Sequence, residues 1–347
     1  MLQTASKKCS KSSEAEEYSN GGLLHCAHLV LPWLTSLELA NISLSCKSLN
    51  AASKSITLRR ILDASRSIEP LPIPFHSSID NHPYAFFLYA PAAIVPNLHS
   101  DRRQPWGSIS DPGPDHLQTE SASLVLASGC HCENCADSEF ECPCSSLDGL
   151  EDVASECGPR CSCGLECQNR PTQRGISVRL KILRDEKKGW GLYADELIQE
   201  GSFVCEYAGE LLTTGEARRR QKLYDARALG GRFASSLLVV REHLPSGNAC
   251  LRINIDATQI GNVARFINHS CDGGNLATRL VRSAGVMLPR LCFYASRMIT
   301  KDEELTFSYG DIRLKPEDQD MNLWKATSML FFSKLILIFG GEARRGR

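Results

Sequence analysis

The sequence predicts a mainly β fold with some α-helix, preceded by a cysteine cluster and an N-terminal helical segment. Short runs of β-branched and aromatic residues, separated by glycine turns, follow residue 176 and are typical of strands in a mixed β domain. Apolar residues at helical spacing fill residues 23–68. Nine cysteines lie between these two parts of a chain of 347 residues, which is long enough for about two or three domains.

The overall composition is that of an ordinary globular protein. The formal net charge is −1, with 23% charged and 42% hydrophobic residues, so no basic excess drives nonspecific nucleic-acid binding. The longest apolar run, Met329–Gly340, contains Lys334 and is too short to span a bilayer as a helix. We therefore expect no membrane association. No DNA-reading motif is visible, so we also expect no direct sequence-specific DNA binding.

The N-terminal part of the chain is predicted to be helical after a polar start. Residues 1–22 are polar, with Ser, Lys and Glu, and are expected to be disordered. Within residues 23–68, Pro32 suits a first helical turn. The strings Leu31-Pro-Trp-Leu, Glu38-Leu-Ala and Ser45-Cys-Lys-Ser-Leu-Asn resemble an F-box, the short helical module that binds ubiquitin-ligase adaptors. A plain helical hairpin packed on the next domain is the alternative.

Residues 69–120 are rich in Pro, Ser, Asp and His and are predicted to form a linker, with one strand at Ala85–Tyr89. Beyond the cysteines, one helix interrupts the predicted strands, with Thr214 as its N-cap and Glu216–Tyr224 as its body. The predicted strands are Ile176–Leu183, Gly191–Ala194, Ser202–Tyr207, Leu251–Asp256 and Leu291–Ala295.

The nine clustered cysteines predict a metal site. The polar N-terminus has no secretory signal, so we expect a reduced compartment, where such a cluster more often binds metal than forms disulfides. Zinc takes four ligands, so nine separate sulfurs would fill two sites and leave one sulfur over. If three of the nine sulfurs each bridge two ions and the other six bind one ion each, the total is twelve bonds, enough for about three zinc ions. A disulfide knot or reduced cysteines without metal is the alternative. The predicted ligands are Cys130, Cys132, Cys135, Cys142, Cys144, Cys157, Cys161, Cys163 and Cys167.

Four segments that follow the cysteines are weak signals singly and highly specific together. A Gly-x-Gly turn is common, and an Asn-His pair in a loop is more often a polar cap than a site. Their order and spacing behind a nine-cysteine cluster are much harder to obtain by chance. The segments are Lys188-Gly-Trp-Gly-Leu-Tyr, Cys205-Glu-Tyr-Ala-Gly-Glu, Ala264-Arg-Phe-Ile-Asn-His-Ser-Cys and Glu304-Leu-Thr-Phe-Ser-Tyr-Gly-Asp.

On these motifs, residues 130–310 resemble the pre-SET and SET domains of the Su(var)3-9-type SET-domain histone lysine methyltransferases, most closely the plant Su(var)3-9-related subgroup. The resemblance covers a little over half of the chain. It implies a SET fold of short β-sheets with a pseudoknot at residues 173–312, behind a three-zinc pre-SET cluster at residues 125–172. It also implies S-adenosylmethionine as the methyl donor.

The same resemblance implies a cofactor site. In the family, the glycine turn at 189–191 holds the methionine part of the cofactor, with Trp190 beside it, because glycines let the backbone approach a ligand. Asn268 and His269 match the pair that hydrogen-bonds the donor's amino group and adenine. Arg265 matches an arginine that either reaches the cofactor's carboxylate or braces the loop. The cofactor-binding residues so implied are Gly189, Trp190, Gly191, Arg265, Asn268 and His269.

The resemblance further implies a lysine channel. Methyl transfer needs an uncharged amine, and lysine has a pKa of about 10.4 in water, so a dry aromatic channel beside the cationic sulfonium has to lower it. Tyr309 matches the family's essential tyrosine, whose hydroxyl orients the amine, and Tyr207 matches the second tyrosine of the pocket. Phe307 occupies the family's Phe/Tyr switch position, where phenylalanine leaves room for di- or trimethylation.

The C-terminal part departs from the family pattern. Family members carry a C-x-C-x4-C post-SET segment after the Tyr-Gly-Asp motif, whose cysteines join the one in Asn-His-Ser-Cys around a further zinc and close one wall of the lysine channel. This sequence has Cys271 but no cysteine after Cys292. We therefore expect no fourth zinc, a free thiol at Cys271 and an atypical tail at residues 313–347, which puts full activity in question.

The sequence thus predicts a nuclear, chromatin-associated lysine methyltransferase that acts on lysine nine of the histone H3 tail. Its expected partners are the H3 tail and chromatin-associated proteins. One alternative is a catalytically impaired SET protein that binds chromatin or cofactor without turnover. Another is a ubiquitin-ligase adaptor that acts through the N-terminal helices. The intact asparagine–histidine pair and tyrosines favour the enzyme, and the missing post-SET cysteines favour the impaired protein.

Overall fold

The computed structural model describes residues 26–80, 82–95, 129–132, 135, 142–144, 153–229, 233–243, 250–286 and 288–308. The chain separates into two compact units, residues 1–61 and 62–347. The segments predicted at 1–22 and 313–347 lie outside the described residues. Within the described part, no helix combines the length and apolar character that a membrane span requires.

The first unit is a small helical body. Its helix α1 starts in a capping box, because the Thr35 hydroxyl accepts from the Glu38 amide while the Glu38 carboxylate accepts from the Thr35 amide. The buried Arg60 donates to the carbonyls of Pro32 and Leu34, both at 2.8 Å, and so fixes the start of the helical segment against its end. The elements are a 3₁₀ helix Leu31–Trp33, α1 Ser36–Ser43 and α2 Lys47–Leu62 around a core of Ala27, Leu31, Leu39, Leu49 and Ile56.

The second unit is mainly β, as predicted, and has one longer described helix, α3 Thr214–Ala228. Its described strands are β1 Phe75–His76, β2 Leu88–Tyr89, β3 Val153–Glu156, β4 Leu180–Asp185, β5 Gly189–Ala194, β6 Phe203–Glu206, β7 Gly209–Leu212, β8 Leu237–His243, β9 Cys250–Gly261, β10 Asn268–His269, β11 Leu276–Ser283, β12 Arg290–Ala295 and β13 Thr306–Phe307.

Four small sheets share these strands. The strand order is β1-β4-β5 in one sheet and β3-β11-β12-β6 in a second. The second sheet places β3, which ends before Cys157, beside β11. The third sheet has the order β2-β9-β7, with β8 paired to β9, and β10 pairs with β13 in the fourth. The core between them is aliphatic and aromatic, with Phe293 and Phe307 its largest fully buried side chains.

Each of the five strands predicted after the cysteine cluster overlaps an observed strand, with ends that differ by a few residues. β7, β8 and β11 were not predicted, because their sequences alternate polar and apolar residues imperfectly. The N-cap prediction was wrong by one position. Thr213, not Thr214, has extended backbone angles and accepts from the Glu216 amide at 3.1 Å.

The segment predicted as a linker contributes structure to the second unit. Its two short strands pair in parallel, β1 with β4 and β2 with β9. The Tyr89 hydroxyl donates to Glu69 at 2.6 Å, and the second carboxylate oxygen of Glu69 accepts the Ile176 amide at 2.8 Å. The described residues of this segment are therefore an integral part of the second unit.

Candidate active site and cysteine cluster

The turn between β4 and β5 forms one side of the candidate cofactor site. The Asp185 carboxylate closes this turn by accepting the amides of Lys187 and Lys188, both at 2.8 Å. Gly189 has a φ of +77°, a conformation that L side chains rarely adopt. A Cβ there would meet none of the described atoms within 4 Å, so the turn faces open space that a ligand can fill.

Trp190 is held between two other side chains at this turn. Its ring meets Phe75 edge to face at 5.3 Å, and the guanidinium of Arg184 lies 5.2 Å from its ring centroid. Phe75 belongs to β1, so the residue that fixes the tryptophan comes from the segment before the cysteine cluster.

Gly191, Asn268 and Glu304 meet at one point. The Asn268 amide nitrogen donates to the Glu304 carboxylate at 2.8 Å, and the other carboxylate oxygen pairs with Lys188 at 2.7 Å. A Cβ on Gly191 would lie 3.0 Å from the Glu304 carboxylate and 3.2 Å from the Asn268 nitrogen. The absence of a side chain at position 191 therefore leaves room for this hydrogen bond. Glu304 raises the pKa of Lys188 through the ion pair.

A two-strand pairing joins the third and fourth motifs. β10 runs parallel to β13, with Asn268 opposite Thr306 and His269 opposite Phe307. The loop before β10 is a 3₁₀ helix, Val263–Phe266, capped by Asn262, whose side chain accepts the Ala264 amide at 3.1 Å. Residues far apart in sequence, the asparagine–histidine pair and the Phe307 position, are thus neighbours in space.

Arg265 lies in a position that suits bracing. Its guanidinium packs over the rings of Phe87 at 4.8 Å and Phe266 at 5.3 Å, and it donates to the Thr258 carbonyl at 3.0 Å. Burial lowers the pKa of Arg265 to about 10. These contacts favour the bracing alternative over contact with the cofactor. Its Nη1 atom is buried without a hydrogen-bond partner among the described residues.

Tyr207 and Phe307 lie in one aromatic group. The Phe293 ring is 6.3 Å from Tyr207 and 4.8 Å from Phe307, and all three side chains are buried. The Tyr207 hydroxyl donates to the Ser236 carbonyl at 2.8 Å. Tyr309, the predicted catalytic tyrosine, lies outside the described residues, two positions beyond Phe307.

The cysteines of the predicted metal site lie together. Four sulfurs at 2.3 Å around one zinc would be separated by about 3.8 Å, and the Cys157 sulfur lies 3.8 Å from Cys130, 3.7 Å from Cys135 and 3.8 Å from Cys142. Eight cysteines fall into three groups of four whose sulfurs lie within 4.8 Å of one another, and Cys130, Cys135 and Cys157 belong to more than one group. Cys135 and Cys157 belong to two groups each and Cys130 belongs to all three, so the three groups form one continuous set of sulfurs. The groups are Cys130, Cys132, Cys135 and Cys142; Cys130, Cys144, Cys157 and Cys161; and Cys130, Cys135, Cys157 and Cys163.

The ninth cysteine, Cys167, packs against the edge of this cluster. Around the sulfurs, Arg170 donates to the Cys163 sulfur at 3.6 Å, and Asn169 donates to the Cys157 sulfur at 3.3 Å. Burial raises the pKa of Cys157, whereas the pKa of Cys163 is lowered to about 7 because Arg170 and neighbouring thiols outweigh its burial. Buried thiols of this density become stable thiolates when a cation neutralises them, so the donor set fits zinc.

Sequence reasoning missed two residues of the site. Glu304 supplies the acceptor for Asn268 and Lys188, and its only signal is its place at the start of the fourth motif. Asn262 caps the loop before the asparagine–histidine pair, three residues ahead of Arg265. The exposed Cys271 sulfur lies 3.4 Å from the His269 Nε2 atom.

Comparison with known proteins identifies the family. The model of the SET domain matches residues 189–310. The chain is 57% identical over 315 residues to the histone-lysine N-methyltransferase SUVR3 of Arabidopsis thaliana, covering 86% of this chain and 87% of that protein. The methyltransferase domain of human histone-lysine N-methyltransferase SETMAR has a similar structure, with 30% identity, a TM-score of 0.52 and coverage of 72% of this chain and 84% of that one.

A crystal structure of KRYPTONITE in complex with mCHH DNA, an H3(1–15) peptide and SAH is also similar, at 28% identity and a TM-score of 0.51. The match covers 74% of this chain and 50% of that one. The SET domain, the SUVR3 relative and the Su(var)3-9-like neighbours agree with the motifs and with the fold. The chain therefore belongs to the SET-domain histone-lysine N-methyltransferases of the Su(var)3-9-related class.

Proposed function

We propose that this enzyme transfers methyl groups from S-adenosylmethionine to lysine nine of the histone H3 tail, with di- and trimethyl-lysine as products, on chromatin in the nucleus. The observation that carries the proposal is the pairing of β10 with β13. It places Asn268 and His269 beside Phe307, and it brings Asn268 to the glycine turn through Glu304. KRYPTONITE, a neighbour in structure, was crystallised with an H3 peptide and SAH, the product that S-adenosylmethionine leaves after transfer.

The open space beside Gly189 and the room that Gly191 leaves fit the methionine part of the cofactor. When bound, the cofactor supplies an electrophilic methyl group on a sulfonium. Asn268, whose amide nitrogen donates to Glu304, would accept a hydrogen bond from the cofactor's amino group at its amide oxygen, and Trp190 would close the side of the turn. Glu304 also pairs with Lys188, so one carboxylate orients both the asparagine and the turn.

The lysine amine has to lose its proton and lie in line with the methyl group. The buried aromatic group of Tyr207, Phe293 and Phe307 excludes water and so disfavours the charged amine. Tyr309 orients the amine through its hydroxyl, and water carries the proton away. Phenylalanine at position 307 adds no hydroxyl that would hold a water and crowd a methylated amine, which supports di- and trimethylation.

We propose that the nine clustered cysteines hold three zinc ions that brace the second unit. None of the nine is assigned to the reaction. The cysteines would stabilise the fold, because β3 ends immediately before Cys157 and pairs with β11 in the sheet β3-β11-β12-β6.

A methyltransferase assay tests the proposed function directly. Purified chain is incubated with labelled S-adenosylmethionine and an H3 tail peptide, or with a peptide carrying arginine in place of lysine nine. We expect label only on the first peptide, and a loss of about 10²-fold or more in kcat for Tyr309→Phe. Equal labelling of both peptides would refute the assigned lysine.

The same assay separates an active enzyme from a catalytically impaired binding protein. A chain that binds S-adenosylmethionine in calorimetry but does not label any peptide is the impaired protein. The given sequence has no cysteine after Cys292. A version in which a C-x-C-x4-C segment of the family pattern replaces residues 313–347 shows whether the lack of these cysteines causes the loss of activity.

The N-terminal unit carries a separate proposal, a ubiquitin-ligase adaptor as partner. Trp33, Leu37 and Leu44 are large apolar side chains of this unit that are exposed by 67%, 71% and 84%. These three side chains are the ones that the proposed adaptor would cover. The full chain and its Trp33→Ala/Leu37→Ala variant are compared in pull-down of the adaptor; failure of the unmodified chain to retain it removes this partner.

A further inference from the structure

A half-buried arginine, Arg290, links the strand that leads to Cys157 with the strand that leads to Tyr207. The Arg290 guanidinium donates to the Glu156 carboxylate at 2.8 Å and to the Glu206 carboxylate at 3.3 Å. Glu156 is the last residue of β3 and precedes Cys157, and Glu206 is the last residue of β6 and precedes Tyr207. Both glutamates are buried.

On the cluster side, the bridge is tied directly to a metal-ligand position. The Glu156 carboxylate also accepts the amide and hydroxyl of Thr172 and the Gln173 side chain, at 2.8–2.9 Å. The same Gln173 nitrogen donates to the Cys157 carbonyl at 2.7 Å. A shift of Cys157 on metal loss therefore moves the group that holds Glu156.

On the catalytic side, the bridge leads to the cofactor loop. The Glu206 carbonyl accepts the Asn262 side-chain nitrogen at 2.7 Å, and the Asn262 oxygen caps the 3₁₀ helix that precedes Asn268. The Tyr207 amide donates to the Leu291 carbonyl at 2.8 Å, one residue from Arg290. Arg290 is thus connected, through Glu206 and through its chain neighbour Leu291, to the loop before Asn268 and to Tyr207.

The contribution of these ion pairs to folding stability does not by itself explain why they are present. Two buried carboxylates against one guanidinium leave a net negative charge, and well-packed apolar residues usually match or exceed a buried ion pair in stability. Burial raises the pKa of Glu206 against the opposing effect of Arg290. Loss of the arginine would leave two buried carboxylates without their shared counter-ion, so the arrangement is sensitive to displacement.

We propose that Arg290 is a positioning residue that couples metal occupancy of the cysteine cluster to the cofactor loop and Tyr207. The inference rests on the proposed cofactor and zinc sites. Coupling between two binding sites is reciprocal in binding free energy, so S-adenosylmethionine raises the affinity for zinc by the same factor by which zinc raises the affinity for S-adenosylmethionine. Couplings of this kind amount to about 5- to 150-fold in affinity.

The test measures the apparent zinc affinity of the full metal-loaded chain at equilibrium, in competition with a colorimetric chelator, with and without saturating S-adenosylmethionine. Arg290→Lys keeps the charge but removes the two-sided contact. Arg282→Lys is the matched control, because Arg282 donates to both oxygens of the buried Glu242 at 2.6 and 2.8 Å, in an ion pair that involves neither Cys157 nor Tyr207. Glu206→Gln, which keeps an oxygen for the Ala93 amide, serves if Arg290→Lys does not fold.

We expect S-adenosylmethionine to raise the apparent zinc affinity about fivefold or more in the unmodified chain and in Arg282→Lys, as a ratio of the values with and without it. In Arg290→Lys and Glu206→Gln the ratio falls to about one, even where melting temperatures drop equally in all variants. Retention of the ratio in Arg290→Lys, its loss in Arg282→Lys, or its absence from an unmodified chain that methylates H3 would overturn the coupling alone. An unmodified chain that neither binds S-adenosylmethionine nor methylates H3 overturns the proposed function, and the coupling with it.

Discussion

A single added methyl group at Gly191 provides a sharp test of the cofactor site. In Gly191→Ala the new carbon would lie 3.0 Å from the Glu304 carboxylate, 3.0 Å from the Tyr193 ring and 3.2 Å from the Asn268 nitrogen. All three atoms belong to side chains, so they must move by a few tenths of an ångström. The glycine does not have a positive φ, so backbone strain is not the cause of the expected effect.

The size of the effect follows from the contact that is displaced. Asn268 donates to a carboxylate at 2.8 Å, and a hydrogen bond to a charged group contributes about 1.5–3 kcal/mol. If S-adenosylmethionine binds only when Asn268 is held in this position, its Kd should rise roughly 10- to 150-fold. The melting temperature should also fall, because the same hydrogen bond stabilises the folded chain, although alanine offsets part of the loss by restricting the unfolded chain more than glycine does.

Isothermal titration calorimetry of the purified chain with S-adenosylmethionine measures the predicted loss. Gly215→Ala is the matched control: its Cβ would approach no described atom closer than 4.0 Å, and it lies in the first turn of α3. The control should bind with unchanged Kd and melt at the same or a slightly higher temperature. An unchanged Kd in Gly191→Ala would refute the assignment of Gly191 and Asn268 to the cofactor site.

Other perturbations address the product, the pH dependence and the metal. Phe307→Tyr adds a hydroxyl to a fully buried ring 4.8 Å from Phe293, and mass spectrometry of H3 peptides should show mainly monomethyl-lysine; continued trimethylation would contradict the switch assignment. The pKa of Glu303 is lowered from 4.5 to about 2, chiefly by the Arg297 hydrogen bond, so its stabilisation is present above about pH 4.5 and is lost as the pH falls towards 2. The melting temperature of the unmodified chain should therefore fall more steeply between about pH 5 and pH 3 than that of Glu303→Gln, and parallel curves would disprove this contribution. Metal analysis should find about three zinc ions per chain, with a lower melting temperature after chelation; two ions would exclude the bridged cluster.

Local sequence was sufficient for some parts of the fold and insufficient for others. Cysteine spacing and the four motifs carry their chemistry in the residues themselves, and the structure brings the cysteines together and places Gly191 beside Asn268. Glu304 and Asn262 were missed because each acts on a partner more than thirty residues away or through a backbone carbonyl. No periodicity reveals such a contact.

The errors in secondary structure have equally specific causes. Thr213 and Thr214 are identical neighbours, and only the backbone angles show which of them caps the helix. The strand predicted at Ala85–Tyr89 contains β2, whereas β1 is only two residues long and cannot show alternation, so it was missed in a segment assigned to a linker. The pairing of these strands is a tertiary property that becomes visible only with β4 and β9 in place.

The two short strands before the cysteine cluster have a consequence for where this enzyme can be cut. A fragment that starts at Gly129 would contain every motif, yet it would uncover the Trp190 ring by removing Phe75 and would leave the edge of β4 unpaired. We expect such a fragment to aggregate more than a fragment that starts at Leu62, as measured by light scattering of the two purified fragments at equal concentration.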